Sequence, residues 1–236
     1  MQGIVWVGGS LDLTEAGYAA LRDGRVAQAR DYLLQAVDVD STDLRAWKGI
    51  VQASRELKDL PAALTAFNNI IAHTDERRDV IDAYLSKARM LDEIGNEDKA
   101  RDHYERALQF DNTLPYAYLA LAELSLRAGQ WQTAIGHADH GLEQAAFDAP
   151  ERAWMLVIRA IAHRKSSLSV GPVSSFFQML GNDEEGDPGE AAFKQAVTSN
   201  PDLKRLMPPD PFHNPARTAE KIRQHMPKYQ IPTYRL

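Results

Sequence analysis

YAYLALAELSLRAGQWQTAIGHADHGL, residues 116–142, decides how this chain folds. Tyr118 and Ala122 stand four apart, on one face of a helix. Gly129 follows as a natural helix stop. Ala134, Ala138 and Gly141 then share a face of a second helix. Small residues let two antiparallel helices approach closely, and an aromatic side chain fills the space beside them. The stretch reads as a helix hairpin.

The same pattern occurs three more times, in LTEAGYAALRDGRVAQARDYLLQAV (13–37), RAWKGIVQASRELKDLPAALTAFNNII (45–71) and DAYLSKARMLDEIGNEDKARDHYERAL (82–108). Ala29, Ala63, Ala100 and Ala134 occupy one equivalent place, 34, 37 and 34 residues apart. Four residues after each comes Leu33, Phe67, Tyr104 or Ala138. The first helix of each unit carries Leu13, Trp47, Tyr84 or Tyr118, followed four residues on by Gly17, Val51, Ala88 or Ala122. Gly24, Gly95 and Gly129 mark three of the turns, and Lys58 stands where the fourth glycine would be. One such hairpin cannot bury its apolar face alone, so the hairpins are expected to stack.

This pattern resembles the tetratricopeptide repeat (TPR), with its period of about 34 residues, over residues 10–148. The resemblance implies an all-α, right-handed α-solenoid of about five TPR-like helix hairpins. PERAWMLVIRAIAHRKS (150–166) is then a fifth first helix with Trp154 at the aromatic place. Its second helix is resumed only at Ala192–Phe193–Ala196, so an insertion at 167–189 interrupts the last hairpin. The expected organisation is a lead-in over 1–10, the solenoid over 11–200, and a Pro-rich C-terminal extension over 201–236. Within that extension Asn214–Pro215 opens a short helix 215–226.

Charge narrows the function. Residues 201–236 carry seven Lys/Arg against three acids, net +4, which leaves −10 for the rest of a chain whose net charge is −6. An acidic body disfavours general nucleic-acid binding, and the basic extension suits the body, a second copy of the chain, or an acidic partner. There is no cysteine, which rules out disulfides and thiolate metal sites. No apolar run is long enough to span a bilayer, and a cytoplasmic location is expected.

Catalytic signals are sparse. The GIVWVGGS stretch (3–10) lacks the second half of a phosphate-binding fingerprint. The spacing His137, His140, Glu143 steps by three along a helix. It falls on a second helix, where solvated polar residues are expected, so no metal or other cofactor is expected. No acid–base constellation stands out, and the chain reads as non-catalytic.

In proteins of the resembled family, extended peptides lie along the wall made by the first helices. Helical spacing on the face opposite the small residues puts these residues on it: Leu11, Thr14, Tyr18, Leu21 and Arg22; Arg45, Lys48, Gln52 and Arg55; Asp82, Leu85, Arg89 and Asp92; Tyr116, Leu119, Glu123 and Arg127; Arg152, Met155, Arg159 and His163. Arg45, Lys48, Arg55 and Arg89 would form a basic patch suited to an acidic segment or a terminal carboxylate. The two-carboxylate clamp of the family's co-chaperones is not reproduced, since Thr14, Tyr18, Gly49, Asp82 and Ser86 stand at its places. In the insertion, Phe176, Phe177, Met179 and Leu180 form an apolar cluster that either packs on its own solenoid or contacts a partner. The expected function is a protein-interaction scaffold or assembly factor; the alternative is a structural subunit that self-assembles or belongs permanently to a larger complex.

Overall fold

The computed structural model describes residues 9–147 and 149–169, together with residue 198. Among them the chain is all-α, without a strand. The helices are α1 (Ser10–Arg22), α2 (Val26–Val39), α3 (Leu44–Glu56), α4 (Leu60–His73), α5 (Arg77–Glu93), α6 (Glu97–Phe110), α7 (Pro115–Arg127), α8 (Trp131–Gln144) and α9 (Ala149–Ser169). The paired helices fall where the repeat places them. Helix α1 begins one residue before the expected start, and α9 continues through Ser169. Residues 1–8 of the lead-in, the Phe176–Leu180 cluster, all but residue 198 of the resumed second helix of the fifth hairpin, and the C-terminal helix lie outside the described residues.

The described helices belong to two compact units, divided between Met90 and Leu91 within α5. In the first unit α1 packs on α2, α2 on α3 and α3 on α4, and α1 also meets α3. Leu33, Phe67, Ile50 and Ile70 fill its core, each almost fully buried, with Tyr18 and Ala83 beside them. In the second unit α6 meets α7, α7 packs on α8 and α8 on α9, and α7 also meets α9. Trp154, Tyr118, Leu119, Met155, Ile158 and Ile161 form its core. The repeated alanines Ala29, Ala63, Ala100 and Ala134 are fully buried, which is why no larger side chain stands there. Each unit buries its apolar stripes between helices, the source of most of the favourable folding free energy.

The helix ends explain the register. Helices α1, α3, α5 and α7 stop in the same way, at Gly24, Lys58, Gly95 and Gly129. Each of these residues has positive φ, 74°, 57°, 78° and 70° in turn. The following amide reaches back five residues, as in Arg25 N–H to the Ala20 carbonyl at 2.8 Å and Asp59 N–H to the Ser54 carbonyl at 2.8 Å. This left-handed stop satisfies carbonyls that the helix end would otherwise leave open. Helices α3 and α4 open on Asp43 and Asp59, whose carboxylates accept from Ala46 N–H and Ala62 N–H. A side-chain acceptor at this position satisfies one of the free amides of the first turn.

Candidate partner-binding wall

Burial redraws the expected wall. Thr14, Leu21, Leu85, Leu119 and Met155 are buried and belong to the cores rather than to a binding surface. A first helix packs against its own second helix and against neighbouring first helices, so its buried stripe is wider than a single-hairpin argument assumes. Tyr18 is also 2% exposed. Its hydroxyl donates to the Arg45 carbonyl at 2.8 Å, and the Arg45 guanidinium lies 4.8 Å over its ring centroid. Burial raises the Tyr18 phenol to about 12, against the opposing charge of Arg45. Tyr18 is therefore a platform for Arg45 and remains a neutral hydroxyl throughout the ordinary pH range.

The remaining wall residues are partly or fully exposed: Arg45 and Arg55 exposed, Gln52, Arg89, Tyr116, Glu123, Arg127 and Arg159 intermediate. Most of the polar ones are held by a partner one hairpin away. Arg45 of α3 pairs with Glu15 of α1. Lys48 of α3 grips both carboxylate oxygens of Asp79 of α5, each at 2.8 Å. Arg127 of α7 pairs with Asp92 of α5 and with Glu97 of α6, the latter at 3.0 Å. The Trp154 indole of α9 donates to the Glu123 carboxylate of α7. Arg159 meets Asp139 of α8 at 3.3 Å. Gln52 stays on its own helix, donating to Glu56 at 3.4 Å. Tyr116 stacks edge-on with the buried Tyr104, ring centroids 5.8 Å apart and hydroxyls at 3.3 Å. Thus Arg45 and Lys48, two cations of the expected basic patch, arrive with carboxylates already attached.

Electrostatics follow these pairings. The Arg45 hydrogen bond holds the Glu15 carboxyl below its usual value. Burial raises Asp82, assisted by the negative charge of Asp79 and opposed by Arg78 and Lys48. Asp43 resolves the other way. Burial would raise it, but hydrogen bonds from Ala46 N–H, the Ser10 and Thr14 hydroxyls and Arg45 N–H outweigh that and hold it low. Both hydroxyls sit 2.7 Å from one Asp43 oxygen, tying α1 to the start of α3.

Sequence reasoning placed the cations, Asp92 and Glu123 on the wall, but it did not pair them and missed Glu15 and Asp79. Glu15–Arg45, Lys48–Asp79, Asp92–Arg127 and Glu123–Trp154 are separated by 30, 31, 35 and 31 residues. Polar pairs about one period apart, on consecutive first helices, were the available signal. The histidine pattern also needs correction, because His137 is half-buried rather than solvated. Burial, then the charges of Arg101 and His140, lower its pKa to about 4. His140 lies on the exposed side with a ring nitrogen 2.8 Å from the Gly136 carbonyl, and Glu143 is exposed. Among the described residues no three His, Asp or Glu side chains are grouped to hold a metal ion. No described helix is long and apolar enough to cross a membrane.

Comparison with known proteins places this arrangement. Residues 81–113 match the family model of the tetratricopeptide repeat. The MamA protein has a similar fold, with a TM-score of 0.61 at 13% identity over 83% of this chain and 94% of that one. YrrB, described as a TPR protein with an unusual peptide-binding site, gives 0.58 at 13% identity over 82% of this chain and 87% of its own. Among curated proteins none matches the chain in sequence. Residues 81–113 thus carry a tetratricopeptide repeat, small and aromatic positions recur in phase with it along the chain, and the fold is similar to those of MamA and YrrB.

Proposed function

We propose that the chain is a non-catalytic scaffold or assembly factor of the cytoplasm that holds another protein along its first-helix walls. The observation that carries this reading is the bracing of the wall: Arg45, Lys48, Glu123 and Arg127 are each fixed by a residue of a neighbouring helix. Polar side chains held in place before a partner arrives lose less freedom on binding. An acidic segment of the partner fits Arg45 best. Arg45 and Glu15 are about half exposed, at 49% and 53%, so a partner's carboxylate replaces Glu15 at small cost, as surface ion pairs are weak. Lys48 and Asp79 are enclosed, at 23% and 20%, and stay together. The insertion at 167–189 and the basic extension supply further contacts in this reading.

The test is capture from native lysate with quantitative mass spectrometry, comparing the intact chain with Arg45→Glu and, separately, with Phe176→Ser/Phe177→Ser. A protein held by the intact chain and lost with Arg45→Glu supports the wall. One lost only with the phenylalanine variant moves recognition to the insertion. Retention of no protein, with mass that rises with concentration, replaces the scaffold with a self-assembling subunit.

A further inference from the structure

The repeat makes an internal comparison possible at one hidden polar pair. In the second unit, Arg101 of α6 donates to the Ser125 hydroxyl of α7 at 2.9 Å, and that hydroxyl donates to the Leu121 carbonyl at 2.8 Å. The equivalent residues in the first unit are Arg30 of α2, next to Ala29 as Arg101 is next to Ala100, and Ser54 of α3, four before Lys58 as Ser125 is four before Gly129. Helices α2 and α3 pack together as α6 and α7 do. Yet Ser54 is fully buried, and both its hydroxyl and the Arg30 Nε lack a hydrogen-bond partner among the described residues. The Asp31 carboxylate stands 4.0 Å from that Nε, beyond hydrogen-bond reach. A buried polar atom without a partner costs about 1–3 kcal/mol, so this joint is unsatisfied where its copy in the second unit is satisfied.

The difference between the joints is one acid. Arg30 is drawn toward Asp59, at 3.5 Å, the residue that caps α4. The corresponding residue in the second unit is Gln130, which makes no side-chain cap, and there the arginine goes to its serine. Asp59 also bonds through its own amide to the Ser54 carbonyl, so the two acceptors of Arg30 adjoin. The pairing of residue types is consistent elsewhere. Where α8 meets α9, the equivalent places hold Ile135 and Ile161, both buried in one core.

We propose that Arg30 is a two-position bolt at the α2–α3 joint, exchanging between the Asp59 carboxylate and the Ser54 hydroxyl. In the first position it supports the α4 cap and leaves Ser54 unsatisfied. In the second it reproduces the Arg101–Ser125 bond and closes the joint between the first two hairpins. The choice is set by the charge on residue 59.

The test uses the full chain and urea unfolding. Asp59→Asn keeps a capping acceptor and removes the charge. In that background Ser54→Ala is expected to lower the folding equilibrium constant about fivefold, the size of one ordinary hydrogen bond, and about as much as Ser125→Ala does in the parent. In the parent, Ser54→Ala costs less. Replacing Arg30 with Met abolishes the Ser54→Ala effect in both backgrounds. Side-chain NMR of the Arg30 Nη–H groups gives an independent readout, with slowed solvent exchange expected in Asp59→Asn and lost again on adding Ser54→Ala. If Ser54→Ala costs nothing after Asp59→Asn, or costs the same without Arg30, the bolt does not exist.

Discussion

The branch point of Leu33 occupies the space where Gly17 would carry a side chain. A β-carbon on Gly17 would stand 2.5 Å from Leu33 Cγ and 2.7 Å from its Cδ2. Gly49, on the next first helix, faces the same leucine, with both Leu33 δ-carbons 2.9 Å from a β-carbon placed there. One leucine of α2 is thus seated between two bare α-carbons. Gly17→Ala is expected to destabilise the chain by about 1–3 kcal/mol, the usual cost of overpacking, although alanine is the better helix former. Leu33→Ala alone should cost about 2–5 kcal/mol. The double variant should cost clearly less than the sum, because the new methyl enters the space the leucine vacates. Urea unfolding of the four chains measures this coupling, and strict additivity would show that the two sites do not touch.

Lys58 holds the left-handed stop that glycine holds at positions 24, 95 and 129. An L side chain in that conformation carries a penalty of about 1–2 kcal/mol, partly offset because glycine loses more backbone freedom on folding. Lys58→Gly is therefore expected to stabilise by about 0.5–1 kcal/mol, and Gly95→Ala to destabilise by about 1 kcal/mol. Thermal unfolding of both variants gives the signs, and a lower melting temperature for Lys58→Gly would defeat the argument.

Lys58 also shows what was legible in advance. The repeat period placed a helix stop at that position although the residue type spoke against it, and the helix does end there. The hairpin pattern, the buried alanines and the aromatic places were readable because each is imposed several times in phase. The wall was less readable. Tyr18, Thr14 and Leu119 occupy outward-looking places when one hairpin is considered alone, yet all three are buried, Tyr18 and Thr14 with hydrogen bonds to Arg45 and Asp43 at the next first helix. Two of the acids that brace the wall, Glu15 and Asp79, were hidden for a related reason. Asp79 meets Lys48 across 31 residues, a distance at which helical periodicity alone carries no signal. The single charge at residue 59 that separates two equivalent joints shows only once the helices are packed.

Asp43 makes the first hairpin sensitive to acid. Its folded pKa lies below the ordinary aspartate value of 3.8, so the native state prefers the carboxylate. That stability is fully present above the unfolded value and is lost as pH falls through the folded one. Asp43→Asn should lower stability at pH 7 and flatten its dependence on pH below about 4. Asp43→Ala should cost about 1 kcal/mol more by removing the α3 cap. Unfolding free energies measured from about pH 2 to about pH 7, a range that brackets carboxylate titration, provide the check. Parallel curves for the parent and the Asp43→Asn variant would refute the assignment.

Asp82 has the opposite sign. Burial raises its folded pKa above the ordinary value, with Asp79 adding to the rise, so the native state takes up the proton more readily than the unfolded chain. Its contribution is fully present below the unfolded pKa and is lost as pH rises through the folded one. Asp82→Asn removes that loss. The variant is expected to match the parent below the ordinary aspartate range and to exceed it in stability at pH 7. The same denaturation series reads this out, and a variant less stable at neutral pH would mean that the attraction of Arg78, 4.0 Å away, outweighs burial.

Lys48 and Asp79 should show the largest difference between removing one partner and removing both. Lys48 stands at the helical place that Thr14 fills on α1 and Leu119 on α7, both buried residues, so its ammonium is drawn into a largely enclosed position. Asp79 compensates it there through two 2.8 Å hydrogen bonds. Lys48→Met alone leaves the Asp79 carboxylate without that ammonium and takes one favourable charge from Asp82, so it should destabilise by about 1–3 kcal/mol. Adding Asp79→Leu removes the stranded charge and relieves Asp82 as well. Replacing a buried ion pair by apolar residues of similar size is often neutral or stabilising, so the double variant should recover most or all of the loss. It should also bind a partner no worse if Arg45, rather than Lys48, is the cation that meets the partner's carboxylate. Loss of binding with stability restored would identify Lys48 as a contact residue that opens its ion pair to the partner.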